Sequence, residues 1–450
     1  MQLKRTLSAI TACLCISTAL SQVINEDVRL ANQSGSNNDY FGHSISISGS
    51  RVVVGAYYDY YNRDDIGMGA AFLFDSQSGE MLEYLRPNDG RVNDLFGWSV
   101  ILKKDILVVG AMGHDLGGAV YIFDANSGTQ LRKIIPDDIR PGDRFGYSVD
   151  LDGRLLAVGS PDSNPNGQDS GSVYLFDIAT GNQLQKITPN DAYRLEHFGR
   201  AIAVDDGVLA VGKVSDESLF EYGSAYLFDT STGAQLARIF SNEGFRGNEF
   251  GYSIALDNGI LAVGARHDNN LEPNVGSAYL YDIHSTKQIA KLFPLDGQED
   301  DQFGYSIAIH NNTVVVGARW EDGYRPSFSS GNSGSAYTFN ATTGAHIAKF
   351  HVLEDEVHDY FGTSVSIDND TIAVGASYED TFTGAAYIFN GPYQRCEADF
   401  SNDYFNDVID ISIFWALMFN HNIEADFNED GVLDFFDISA FLTSYTTGCP

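Results

Sequence analysis

Phe41-Gly42-His43-Ser44-Ile45-Ser46-Ile47, followed by Val52-Val53-Val54-Gly55-Ala56, decides the fold. Apolar and polar residues alternate from Ser44 to Ile47, the period of a strand with one buried face. A short turn at Gly49-Ser50 then leads into a β-branched run, so the stretch predicts a tight antiparallel hairpin. The pattern recurs. Phe-Gly stands at 41, 96, 145, 198, 250, 303 and 361, and thirteen residues after each of those glycines comes another, from Gly55 through Gly375. A constant offset in seven copies means that the turn tolerates no insertion, and it places the two glycines opposite each other at one end of the hairpin. A third strand opens with glycine and a small residue, as in Gly223-Ser224-Ala225-Tyr226. It closes on a turn such as Asp124-Ala125-Asn126-Ser127-Gly128, where glycine supplies the positive φ. A fourth strand follows, as in Gln130-Leu131-Arg132-Lys133-Ile134. Four short strands every ~50 residues, seven times over, predict a mainly β chain, a seven-bladed propeller.

The seventh copy breaks off at Gly391-Pro392 with no fourth strand of its own. Asp27-Val28-Arg29-Leu30 lies at the offset before Phe41 that fourth strands occupy before later Phe-Gly pairs. It is expected to complete the last blade and remove an open sheet edge.

Working outward, 450 residues exceed one ordinary core, and 43% hydrophobic content excludes a disordered chain. Sixty-one acids against 27 Lys+Arg give a formal net charge of -34. Such a surface repels phosphate backbones and anionic lipid, which argues against nucleic-acid and membrane-surface partners. At the N-terminus, Lys4 and Arg5 precede an uncharged stretch from Leu7 to Leu20, and Ala19-Leu20-Ser21 offers a cleavage site. Residues 1–21 therefore read as an export signal, making the protein secreted or displayed at the cell surface. Ile10-Thr11-Ala12-Cys13 leaves a second reading, a lipid-anchored Cys13. No later run is long enough to span a membrane.

The seven copies, from residue 22 to 392, closely resemble the FG-GAP repeat familiar from the integrin α-subunit propeller. The resemblance implies a ligand-binding propeller. Integrin-type repeats often carry an Asp-rich calcium loop inside the first hairpin; here that hairpin has only short turns, such as Asp152-Gly153, and that site is not carried over.

Residues 393–450 follow another pattern, duplicated at a 27-residue offset. Asp426, Asn428, Asp430, Val432, Asp434 and Asp437 occupy positions 1, 3, 5, 7, 9 and 12 of an EF-hand-type loop, with Gly431 at the sharp turn. The first copy offers Asp399, Ser401, Asp403, Asp407 and Asp410, with Tyr404 in place of the turn glycine. Hard oxygen ligands at that spacing predict Ca2+; acidic helix caps are the alternative. Loop, helix and duplication resemble a dockerin, which implies a cohesin-like or cell-surface docking partner. Cys396 and Cys449 bracket the segment and predict a disulfide in an exported chain.

Function should concentrate on the face that carries the longer loops, between second and third strands and between blades. Each second-to-third loop begins with an acid: Asp59, Asp115, Asp162, Asp216, Asp268, Asp322 and Glu379. The connections between blades add acidic pairs: Asp89/Asp94, Asp138/Asp143, Asp191/Glu196, Asp296/Asp301 and Glu354/Asp359. They could form a ring of cation or glycan contacts, or simply cap loop amides once per blade, and the second reading is favoured. Residues that break the repeat are the better candidates. In blade 4, His197, Arg200 and Lys213 are expected to form a basic spot, a candidate ligand patch; blade 6 has Arg319-Trp320. No catalytic motif is present. The sequence favours a non-catalytic propeller that binds protein or carbohydrate on the long-loop face. The alternative is an extracellular carbohydrate hydrolase or lyase.

Overall fold

The computed structural model describes residues 23–24, 26–32, 39–59, 67–191, 194–214, 223–241, 247–269, 272–294, 296–321, 332–352, 359–391 and 438. The chain divides into two units, residues 24–393, and residues 1–23 with 394–450. Nearly all described residues belong to the first.

That unit is a ring of seven antiparallel blades, six of them four-stranded sheets and the sixth blade in chain order a five-stranded one. Blade 1 runs Phe41–Ser48, Arg51–Ala56, Ala70–Asp75, Met81–Leu85, and strand order follows the chain. The innermost strands are Phe41–Ser48, Phe96–Lys103, Ser148–Asp152, Ile202–Asp205, Phe250–Asp257, Phe303–His310 and Phe361–Asp368. Each packs beside the next, and the last beside the first, so the seven surround one axis. Blade 7 takes Val28–Leu30 as its fourth strand, with Val28 opposite Ile388 and Leu30 opposite Ala386. Arg29 reaches Glu379 at 2.5 Å and the Tyr387 hydroxyl at 3.3 Å.

The two glycines do not face each other. In five blades a bulge follows the Phe-Gly pair, so Phe41 pairs with Ala56 while Ser44 pairs with Gly55. Its cause is local. The residue before each Phe has φ between 46° and 59°, Gly42 has φ 89°, and the His43 N–H closes a turn onto the Tyr40 carbonyl. Glycine at the third position is what a type II turn demands.

The second glycine answers to the neighbouring blade. A Cβ on Gly55 would stand 2.1 Å from the Gly97 carbonyl oxygen, and the other six copies are the same within 0.1 Å. That carbonyl also accepts the Ser44 hydroxyl at 2.9 Å. Ser99, Ser148, Ser253, Ser306 and Ser364 repeat the bond at 2.8 Å, the last onto Gly42 across the ring closure. Blade 4 has Ala201 there and lacks it. Each Phe is buried edge-on against two third-strand aromatics, as Phe96 is against Tyr121 and Phe123 at 5.6 and 5.9 Å. Such ring pairs contribute ~0.5–1.5 kcal/mol each beyond their area.

Candidate functional site

The residue after each Phe-Gly pair lies at the Phe-Gly end of an innermost strand: His43, Trp98, Tyr147, Arg200, Tyr252, Tyr305 and Thr363. The type II turn fixes its direction. Together with residues just past each second glycine, these side chains form a continuous belt. Tyr40 contacts Tyr57 at 5.0 Å, His43 contacts both Tyr57 and Trp98, and Trp98 lies 5.4 Å from Tyr147. Tyr252 meets Tyr305 at 5.1 Å, Trp320 meets Tyr360 at 6.4 Å, and Tyr360 and Tyr378 lead back to Tyr40. Blade 4 offers no ring. Arg200 bridges the gap, its guanidinium 5.4 Å from the Tyr147 ring and 4.6 Å from that of Tyr252.

Two more guanidiniums join it. Arg266 lies 4.0 Å over Tyr252, and Arg319 lies 3.9 Å over Tyr305 and 5.1 Å from Trp320. Arg266 is neutralised by Glu249, its Nε donating at 2.5 Å. Arg319 Nε donates to the Gln302 side-chain carbonyl at 3.2 Å, and Arg200 donates to the Tyr252 hydroxyl at 3.1 Å. Burial, aided by the charge of Arg319, pushes His43 down to about 4, so that imidazole is neutral. Burial alone would raise the Tyr252 hydroxyl, but Arg200, Arg266 and Arg319 outweigh it and hold Tyr252 below the usual tyrosine range. Tyr147 and Tyr305, where burial prevails, go up. Flat aromatic faces, forked donors and half-exposed side chains make an arrangement suited to stacking and to anion recognition.

The three blade-4 residues go to different partners. Arg200 enters the belt. His197 Nδ1 sits 3.0 Å from Asp162, which also pairs with Arg144. Lys213 is not the surface cation expected from the sequence: it is 2% exposed and paired with an equally buried Glu196. The physical reason is a two-position change. Lys213 replaces the small residue after the second glycine, and Glu196 replaces the shorter acid or Asn two residues before Phe, so the longer chains meet.

The loop acids serve the fold. Asp94, Asp143 and Asp301 are buried and accept the N–H groups of Arg91, Arg140 and Gln298. Burial raises Asp301 to about 8. The buried position of the second-to-third loop is the fourth after each second glycine: Asp59, His114, Ser163, Asp268, Glu321 and Glu379. Asp59 holds Arg86, Asp268 holds Lys291, Glu321 holds Lys349 and Glu379 holds Arg29. Asp115 and Asp162 are its neighbours. Asp89, Asp138, Asp191 and Asp296 pair with fourth-strand Lys133, Lys186, Arg238 and Lys349. Asp216, Asp322 and Glu354 lie outside the described residues.

The opposite end of the axis opens into a cavity of about 1,290 Å³ lined by the first-hairpin turns. Its acids are engaged in the same manner: Asp205, Asp257 and Asp368 accept the turn N–H groups of Asn258, Asn311 and Gly49 in the next blade. Among the described residues no group of three or more His, Cys, Asp or Glu is placed to hold a metal ion. Asp399, Ser401, Asp403, Asp407, Asp410, Asp426, Asn428, Asp430, Val432, Asp434, Asp437, Cys396 and Cys449 lie outside the described residues, as does the segment 1–21.

Sequence reasoning found Arg200 and noted Arg319-Trp320 but missed the belt that joins them. The signal was present, a ring or a guanidinium two after Phe in six of the seven copies, yet its direction depends on the turn at Phe-Gly. No curated protein matches the chain. The FG-GAP repeat model matches residues 24–74, 83–123, 129–176, 182–228, 234–281, 286–339 and 347–389. Each match begins near a fourth strand and ends on the third strand of the following blade, so every repeat straddles two blades.

Proposed function

The chain belongs to the FG-GAP repeat family and forms a seven-bladed β-propeller of such repeats, and on that premise we propose that it is a non-catalytic binding propeller. Its ligand, a protein or a carbohydrate, seats on the Phe-Gly end of the axis. The observation that carries this reading is the aromatic belt with three guanidiniums, in a chain of net charge -34. The buried loop acids support a binding role over a catalytic one, because they are spent on loop amides and ion pairs. Export through residues 1–21, and docking to a cohesin-like or cell-surface partner through a calcium-loaded module at 393–450, complete the proposal. Their support is the sequence spacing, and among the described residues no helix is long and apolar enough to cross a membrane.

A glycan array and a surface-protein pull-down with the full chain, with calcium and with chelator, test it. Capture should fall for Trp98→Ala and Tyr305→Ala, and for Asp437→Ala only where the partner docks through the C-terminal segment. Turnover of a captured polysaccharide, or capture indifferent to both belt substitutions, would overturn the reading.

A further inference from the structure

The belt carries more cation than the protein matches, and this inference deepens the binding reading and rests on it. Arg266 has Glu249 as its counter-ion. Arg319 and Arg200 hydrogen-bond only neutral oxygens among the described residues, those of Gln302 and Tyr252. A guanidinium has five N–H donors, and Arg200 uses one on protein, leaving the rest of the fork without an acceptor among the described residues. A half-buried charge without a counter-ion is costly, so the site favours an anion that brings its own oxygens.

The surroundings narrow that anion. The guanidinium plane favours a carboxylate, whose two oxygens match the fork. Trp98, Tyr147, Arg200 and Tyr252 form one row, ring beside ring beside cation beside ring. Flat apolar faces flanking a carboxylate receptor suit a ligand whose acid group is fixed to a rigid ring with an apolar face. Neutral His43, on the far side of Trp98, adds a donor and acceptor without another charge.

We propose that this belt is a receptor for an acidic saccharide, with Arg200 gripping the sugar carboxylate and Trp98, Tyr147 and Tyr252 stacking on the ring. The local cations also explain how an anion is held on a chain whose net charge repels it: three guanidiniums stand in the belt with Glu249 as the one carboxylate paired to them among the described residues, and the contact is made where water is partly excluded.

The experiment is calorimetric titration of the full chain with an oligogalacturonate, with the neutral galactose oligomer of equal length, and with oligoglutamate. The uronate should bind, with the neutral oligomer and oligoglutamate at least ~10-fold weaker, a difference of about 1.4 kcal/mol. Arg200→Gln should remove that preference while its thermal unfolding stays that of a folded propeller; Arg319→Gln, measured in parallel, should weaken it less. If Arg200→Gln does not fold, Trp98→Ala should lower affinity for the uronate at unchanged stability. Equal affinity for acid and neutral oligomers, no binding of either, or retention of the preference in Arg200→Gln would each overturn the proposal. Tighter binding of oligoglutamate would reassign the belt to an acidic peptide. Capture of a neutral glycan or a protein through Trp98 and Tyr305, with no response to uronate, would reject the carboxylate receptor and leave the binding propeller standing.

Discussion

Lys213 and Glu196 show how one blade departs from its siblings without losing the fold. Six blades place Ala or Ser after the second glycine and Asp or Asn two residues before Phe. Blade 4 lengthens both side chains, and the two charges meet at 2% exposure. Neither change works alone, because a buried charge deprived of its partner costs far more than a pair contributes. Lys213→Ala should therefore destabilise by about 3–5 kcal/mol. Lys213→Ala with Glu196→Asp, which restores the arrangement of the other blades, should recover most of that loss. Chemical denaturation of the two single variants and the double one gives the coupling. A double variant no more stable than Lys213→Ala would show that the pair is not the reason for either residue.

Among the elements, Val28–Leu30 has the greatest effect for its size. Three residues pair with the third strand of blade 7. Arg29 anchors on Glu379, the Asn390 N–H donates to Asp27 at 2.5 Å, and Leu30 is 1% exposed in the core that contains Phe41 and Phe72. Deleting residues 26–32 would bare the Ala385–Asn390 edge, and an exposed edge recruits other chains. The shortened protein should unfold at a lower temperature and self-associate, and a synthetic peptide of residues 22–32 should reverse both. Unchanged unfolding and a monomeric elution profile would reject the closure. Hairpins, turns and third strands were legible in the sequence because their periodicity and glycines repeat. The bulge after Phe was not, since it alters register without altering composition. The belt's direction was hidden for the same reason, and the burial of Lys213 because its partner Glu196 stands 17 positions earlier in the chain.

On the scale of the whole molecule, the ring depends on contacts made between blades as much as within them. Six serine hydroxyls reach the next blade's Phe-Gly carbonyl, and seven second glycines leave room for that carbonyl to approach. The residues read from the sequence as an export signal, calcium loops and a disulfide lie outside the described residues. Closure has a mechanical consequence. The ring is shut by two segments whose Arg29 and Tyr387 are 358 positions apart in the chain. The pairing is antiparallel: the chain enters at Val28 beside Ile388 and leaves just beyond, after Asn390. Tension applied at residues 26 and 391, the two ends of the ladder's strands, therefore bears on the same end of this short ladder. It parts the bonds one after another, like a zip, instead of loading them together in shear. Single-molecule stretching from handles attached at residues 26 and 391 should show a weak first rupture, ahead of stronger steps as blades give way. A first rupture as strong as the later ones would contradict this. Held by its ends, the ring yields first at its seam.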